Sequence, residues 1–172
     1  MKRRDVSSVQ GFTLVELMIV VVIVGVLAAT AIPSFQRQVY RARSAEAPAM
    51  IHHIRMQEEA YLSEYGQYVG PTTFGPLFPT QATDVGAVTW NNADAPAELR
   101  ALGLTPDSLV RFRYRVISGY GGAPAAQYPN GWNDWWYVVQ AHGDVDLDGT
   151  SYFVEALSPR PTLYVSDPAG FD

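Results

Sequence analysis

The sequence has no cysteine, and only 17% of its 172 residues are charged. Without cysteine the chain has no disulfides, no thiolate metal sites and no cysteine nucleophile, so any folded part must be held together by packing. The three histidines, His52, His53 and His142, do not have the spacing of a zinc-protease motif or a catalytic triad. Since G-x-S-x-G and phosphate-binding glycine loops are also absent from the sequence, we expect no catalytic residues and no enzyme activity.

The balance of charge is acidic, with a formal net charge of -5. This becomes -7 when residues 1–11 are left out, because they contain three basic residues and one acidic residue. An acidic body argues against a general nucleic-acid binder. With 48% apolar residues the chain can form one ordinary core, so we expect one folded domain with an appendage.

The appendage is an apolar run from Phe12 to Ile32, in which Glu16 is the only charged residue. As a helix rising about 1.5 Å per residue it is roughly 31 Å long, which matches a hydrocarbon layer of about 30 Å. This length predicts a membrane span. The basic residues 2–4 ahead of it predict a cytoplasmic N-terminus and an exported remainder.

Glu16 is the unusual residue of this run. A carboxylate at the centre of a membrane span costs about 2.5 to 3.5 kcal/mol on insertion scales, so its presence indicates a function. If the chain were cut between Gly11 and Phe12, the new ammonium group would lie one helical turn from Glu16, in the same chain or in a neighbouring copy. We therefore expect that the charge of Glu16 has a partner only after cleavage and assembly.

Two simpler interpretations compete with this one. The small-x-small pattern of Ala29, Thr30 and Ala31 would suit a signal peptidase and an ordinary secreted protein. A plain signal anchor that stays in the membrane would explain the length and the orientation of the run. It would leave Glu16 unexplained.

The segment from Gly11 to Glu16 resembles the class III signal of type IV prepilins and type II secretion pseudopilins. The resemblance continues to Phe35, and it includes Gly25, Pro33 and the segment Ala31–Phe35 that is typical of type IVa pilins. It implies cleavage after Gly11 by a prepilin peptidase on the cytoplasmic face, with methylation of Phe12 by the same enzyme. The apolar segment would then stay with the mature protein.

After the apolar run the helical pattern continues to about Tyr65 and ends at Gly66, while Pro33 and Pro48 should each bend or interrupt it. Residues 70–108 predict an extended connection with a short helical turn near Ala97–Leu102. Three strand candidates follow, at Leu109–Ile117, Trp135–Ala141 and Thr150–Leu157. We therefore predict an α+β fold in which a long N-terminal helix packs against a small antiparallel sheet.

The predicted organisation has five parts. They are a cleaved leader at 1–11, a membrane and filament-core helix at 12–35, an amphipathic half of the helix at 36–66, an αβ-loop at 67–108, and a sheet head with a C-terminal tail at 109–172.

A row of arginines alternates with aromatic residues on the first strand candidate, at Arg111, Arg113 and Arg115. Such a row suits DNA binding as in uptake pilins, or it is the solvent face of a half-buried strand. The acidic total favours the solvent face.

A possible calcium site lies between the last two strand candidates. Asp144, Asp146 and Asp148, followed by Gly149 and Glu155, have the spacing of an EF-hand loop. If Glu155 lies in a strand it is about 20 Å from Gly149, which makes it a poor ligand. The three aspartates with backbone carbonyls could still bind calcium, as in a C-terminal loop of some pseudopilins, or Asp148-Gly149 is only a hairpin turn.

An aromatic cluster precedes that loop. It comprises Tyr128, Trp132, Trp135, Trp136 and Tyr137. We expect these side chains to fill the core, with an exposed adhesive or sugar-binding patch as the alternative.

The resemblance implies a structural subunit of a type IV pilus, major or minor. Its partners would be other pilin subunits, the prepilin peptidase and the inner-membrane assembly platform, and nucleic acid is not expected. The protein would lie in the bacterial inner membrane before assembly and in an extracellular pilus, or a periplasmic pseudopilus, afterwards. The alternatives are a type II secretion pseudopilin, a minor pilin that binds DNA or a surface, and a membrane-anchored receptor that forms no filament.

Overall fold

Helices come first in the chain and strands follow. The computed structural model describes residues 11–80, 86–106, 109–122, 128, 132–158, 160 and 162–166. The elements are α1 (Leu14–Ser44), α2 (Glu46–Tyr65), α3 (Ala97–Ala101), β1 (Arg113–Gly122), β2 (Trp132–Gly143), β3 (Tyr152–Leu157) and β4 (Tyr164–Val165). The chain divides into two compact units, residues 1–38 and residues 39–172, which are described separately below.

The first unit contains most of α1. Pro33 lies inside this helix and does not end it, so the expected interruption at Pro33 is wrong. Proline removes one backbone donor, and the bonds of the surrounding turns are sufficient to continue the helix. The leader residues before Gly11 lie outside the described residues.

The second unit begins with the end of α1 and with α2, which are separated by a single residue, Ala45. Pro48 accounts for this break, because it cannot donate to the carbonyl of Ser44 one turn earlier. The expected effect of Pro48 is therefore confirmed. The predicted end of the helix is also confirmed, since Gly66 has φ 73° and its N–H donates to the carbonyl of Leu62 at 2.8 Å.

Four antiparallel strands form one sheet in the order β1-β2-β3-β4, and α2 packs against β2 and β3. The predicted α+β class is confirmed. The strand bounds differ from the prediction, because β1 starts at Arg113 and runs on to Gly122, while β2 starts at Trp132. Val110 instead forms an isolated bridge to Val88, and the short strand β4 was not predicted.

One face of the sheet forms the main core with α2 and with the connection between them. Ile51 and Ile54 of α2 and Tyr114 of β1 are fully buried. The connection adds Phe78 and Trp90, whose rings meet edge to face at 4.8 Å. The predicted helical turn is confirmed as α3. The prediction missed that the extended connection is part of the core, held to the sheet by bridges from Phe78 and Val88.

The other face of the sheet is covered as well. A second apolar cluster contains Ile117, Tyr128, Trp136, Val138 and Leu157, with Phe74 packed against it. Both Ile117 and Ser118 are therefore buried, although they point to opposite faces. The expected alternation holds for the arginine row, whose side chains are half-buried between buried neighbours, and it ends at Ile117.

A buried carboxyl lies in the main core, on α2. Glu58 is 0% exposed, and its Oε2 accepts the N–H of Val69 at 2.9 Å. Its Oε1 has no hydrogen-bond partner among the described residues. Burial raises the pKa of Glu58 to about 8, against a partial lowering by the bond from Val69.

This carboxyl predicts a pH dependence of stability. A folded-state pKa of about 8, above the ordinary 4.5, means that the folded chain binds the proton more tightly than the unfolded chain. The stabilising contribution is complete below pH 4.5 and is lost as the pH rises to about 8, by at most about 1.4 kcal/mol per unit. We expect Glu58→Gln to be more stable than the wild type at pH 8 and to lose less stability between pH 5 and 8.

The measurement is urea unfolding of the full chain in detergent micelles at several pH values. Glu64→Gln, which changes an exposed glutamate on the same helix, is the matched control and should follow the wild type. Parallel pH profiles for the wild type and Glu58→Gln would contradict the prediction.

Candidate functional site

The start of α1 is closed by reciprocal hydrogen bonds between Thr13 and Glu16. The backbone N–H and the hydroxyl of Thr13 donate to Oε2 of Glu16 at 2.9 and 2.8 Å. In return the N–H of Glu16 donates to the Thr13 hydroxyl oxygen at 3.2 Å. This is a capping box, in which a threonine and a glutamate three residues later satisfy the free N–H groups of the first turn.

The capping box changes the interpretation of Glu16. Glu16 has hydrogen-bond partners in the uncleaved chain, because Thr13 donates two hydrogen bonds to it, while the expected charge partner, an ammonium group created by cleavage, stays a prediction. The Thr-x-x-Glu spacing was visible in the sequence and would have predicted the cap. Both bonds end on Oε2, and among the described residues no donor reaches Oε1.

Gly11 and Phe12 lie just before the capping box and outside the helix. Both residues are exposed, and Phe12 is 85% exposed. The peptide bond between them is therefore on irregular, accessible backbone, which is what a peptidase needs in order to bind a chain in an extended form.

The helix that follows is apolar and uncovered. Among the described residues, one helical stretch, Leu14–Tyr65, which comprises α1, Ala45 and α2, is long and apolar enough to cross a membrane, with a mean hydropathy of 2.7 in its most apolar window. None of that window is buried within the chain. An apolar surface of this extent must be covered by lipid or by another protein.

The three aspartates of the second unit come together in the loop between β2 and β3. Each of Asp144, Asp146 and Asp148 offers a carboxylate oxygen within 4.8 Å of the other two. Asp144 also orders the loop, because its two oxygens accept the N–H groups of Leu147 at 2.8 Å and Gly149 at 2.9 Å. Carboxylate oxygens are the ligands that calcium prefers, so this donor set suits calcium.

The crowding of these carboxylates affects the pKa of Asp146. Burial, a hydrogen bond to Asp144 and the charge of Asp148 together raise the pKa of Asp146. A bound cation would relieve this repulsion. The loop runs from Asp144 to the residue before Tyr152, so it is longer than a two-residue hairpin turn at Asp148-Gly149.

Glu155 lies elsewhere, on β3. Its Oε2 accepts the hydroxyl of Tyr128 and the amide of Gln140, both at 2.6 Å. The group of acidic side chains that could hold a metal contains the three aspartates and does not contain Glu155.

The arginine row makes contacts within the chain. Arg111 lies 3.7 Å from a carboxylate oxygen of Glu46. Arg115 donates to Oε1 of Gln140 at 2.6 Å and lies over the ring of Phe74 at 4.3 Å. These contacts occupy two of the three guanidinium groups that a DNA-binding stripe would need.

The aromatic residues are largely core. Trp136, Tyr137 and Tyr128 are buried, which confirms the prediction for these three. Trp135 is half-buried and packs against the ring of Tyr120 at 5.4 Å. The side chain of Trp132 lies outside the described residues.

Comparison with known proteins concentrates on the N-terminal part. The family described as the prokaryotic N-terminal methylation motif matches residues 6–32. A fimbrial protein of Neisseria meningitidis is 41% identical over 64 residues, covering 37% of this chain and 38% of the relative. The type IV major pilin protein PilA of Myxococcus xanthus is 42% identical over 59 residues, covering 34% of this chain and 27% of the relative.

A longer match is found with the type IV major pilin protein PilE1 of Neisseria gonorrhoeae. It is 32% identical over 101 residues, covering 57% of this chain and 47% of the relative. The chain thus spans less than half the length of these curated relatives. No solved structure matches the chain.

The fold is α+β, and its apolar N-terminal helix begins within the match to the methylation motif. By these matches, the N-terminal part of the chain is similar to the prokaryotic N-terminal methylation motif and to the N-terminal part of type IV pilins. The motif and the apolar helix fit membrane anchoring.

Calcium at the aspartate loop stays a prediction, and a chelator tests it. If Asp144, Asp146 and Asp148 bind calcium without Glu155, added calcium should raise the melting temperature of the full chain in micelles and EDTA should reverse the rise. Asp146→Asn should reduce the shift, whereas Glu155→Gln should keep it. No calcium-dependent shift in the wild type would retire the site.

Proposed function

We propose that this protein is a structural subunit of a type IV pilus that assembles through its N-terminal helix. The observation that carries the proposal is the uncovered apolar helix, whose first part lies within the match to the methylation motif. The curated relatives support it, since they are named as fimbrial proteins and major pilins. A filament made of many copies would cover the apolar surface after the subunit leaves the membrane.

Processing precedes assembly in this proposal. A prepilin peptidase cuts between Gly11 and Phe12 and methylates Phe12, and the basic residues 2–4 hold the leader in the cytoplasm. The exposed, irregular backbone at Gly11 and Phe12 suits such a cut. The mature chain then keeps α1 and presents a new ammonium group beside the capping box.

Assembly follows from two interactions. Burial of the apolar helix against other copies contributes about 25 cal/mol per Å², which replaces the lost lipid contacts. The new ammonium group of one subunit pairs with Oε1 of Glu16 in its neighbour, while Oε2 remains in the capping box. This pairing sets the axial position of each incoming subunit, and the low dielectric of the site strengthens it.

Processing gives the first test of the proposal. Intact-mass measurement of the mature protein should show the loss of residues 1–11 and the gain of one methyl group. N-terminal sequencing of sheared surface fibres then identifies the rank of the subunit. An abundant fibre indicates a major pilin, and trace amounts indicate a minor pilin or a pseudopilin. A mature N-terminus at Ile32 would overturn the proposal in favour of a secreted protein.

Assembly gives the second test, and the capping box supplies its control. Glu16→Val removes both the charge and the cap, whereas Glu16→Gln keeps a capping-box side chain and removes only the charge. We expect both variants, expressed as the only copy, to be inserted and processed but to give few filaments. Membrane fractions, Phe12 methylation and sheared filaments are measured together.

The two variants separate two roles of Glu16. Normal filaments with Glu16→Gln and few with Glu16→Val would assign the role to the cap. Normal filament yield from both variants would sink the pairing mechanism altogether.

A further inference from the structure

A polar row crosses the sheet on the face opposite α2. Arg115, Gln140, Glu155 and Tyr164 are successive cross-strand partners in β1, β2, β3 and β4. The guanidinium of Arg115 holds the amide oxygen of Gln140 at 2.6 Å, so the amide nitrogen points to the next strand. There it donates to Oε2 of Glu155 at 2.6 Å.

The carboxylate of Glu155 is thereby fixed in position. Tyr128 and Gln140 both donate to the same oxygen, Oε2. Within the described part of the chain, Oε1 meets no hydrogen-bond donor and the carboxylate makes no ion pair within 4.0 Å. A rigidly held carboxylate with one unused oxygen is prepared to accept an external cationic donor.

This carboxylate lines a groove of about 670 Å³. Leu157, Phe153 and Tyr164 give the groove apolar and aromatic walls, with the rings of Phe153 and Tyr164 at 6.1 Å from each other. The volume is within the range of sites for small molecules. Aromatic faces beside a carboxylate favour an organic cation through cation–π attraction.

A second charged residue, Arg160, lines the same groove. Arg160 is exposed and lines the groove, and it makes no ion pair within 4.0 Å with any described residue, Glu155 included. The groove thus presents the carboxylate of Glu155 and the guanidinium of Arg160, which form no ion pair with each other. A ligand with charges of both signs satisfies both groups, whereas a simple cation or a simple anion is repelled by one of them.

We propose that this groove binds a small zwitterion with an apolar body, of the amino-acid or short-peptide type. Its ammonium group is held by Oε1 of Glu155 and its carboxylate by the guanidinium of Arg160. The apolar body lies against Phe153, Tyr164 and Leu157. The site uses only residues of the sheet and the segment after it, and no residue of α1.

Three probes with one common body test the charge requirement. They are leucine, isoamylamine, which lacks the carboxylate, and 4-methylpentanoate, which lacks the ammonium group. Each is titrated into the isotope-labelled full chain in detergent micelles, and the NMR signals of the Gln140 side-chain amide are followed. We expect a saturable shift with leucine, and about tenfold weaker binding of the two single-charge probes.

Two variants assign the charges separately. Glu155→Gln should weaken the binding of leucine and isoamylamine about tenfold and leave 4-methylpentanoate unchanged. Arg160→Gln should weaken leucine and 4-methylpentanoate and leave isoamylamine unchanged. Arg160 lies on the exposed rim, outside the polar row, so this variant keeps the test valid if Glu155→Gln disturbs the fold. Glu64→Gln, with the same loss of one charge on α2, is the control for net charge.

Three results would overturn the proposal. Equal binding of all three probes would show an apolar groove without charge selection. Equal effects of Glu64→Gln and Glu155→Gln would show only a dependence on net charge. Absence of any saturable shift up to about 50 mM leucine would show that the polar row is a structural network with no ligand.

Discussion

An apolar helix with no cover inside its own chain is the constraint on which the rest of this protein depends. Its most apolar window has no buried residue, and the cost of leaving that surface in water is far larger than the stability of a typical domain. In the proposed filament the helix exchanges one cover, lipid, for another, the helices of neighbouring subunits. Thr13 and Glu16 form the capping box at the N-terminal end of this helix, which is the end that the proposed cleavage would expose.

The second unit must be stable without disulfides, and it achieves this by covering both faces of one small sheet. The connection between α2 and β1 supplies Phe78, Val88 and Trp90 to the main core. Along β1, burial is confined to one face of the strand at first and extends to both faces from Val116 to Gly119. The hydrogen bond from Arg115 to Gln140 lies on the same face of the sheet as the second apolar cluster. The connection, although it has few regular elements, thus contributes packing where disulfide-rich domains rely on crosslinks.

The sequence predicted the parts whose signal is local. The apolar period, the Gly66 helix end and the alternation of Val110, Phe112 and Tyr114 depend only on neighbouring residues, and each was found where expected. The connection was not predicted as core, because Phe78 and Val88 are buried by pairing with residues more than twenty positions away. The contacts of Arg115 were not predicted for the same reason, since the ring of Phe74 and the amide of Gln140 come from distant segments.

The N-terminal site shows the opposite case. The local Thr-x-x-Glu spacing indicates a capping box, but only a charge partner was predicted for Glu16. A lone carboxylate in an apolar run suggested an external charge partner, although Thr13 three residues earlier already satisfies one of its oxygens. The two interpretations are compatible because a carboxylate has two oxygens. Oε2 caps the start of the helix in the single chain, and the proposed assembly assigns Oε1 to the ammonium group of a neighbouring subunit.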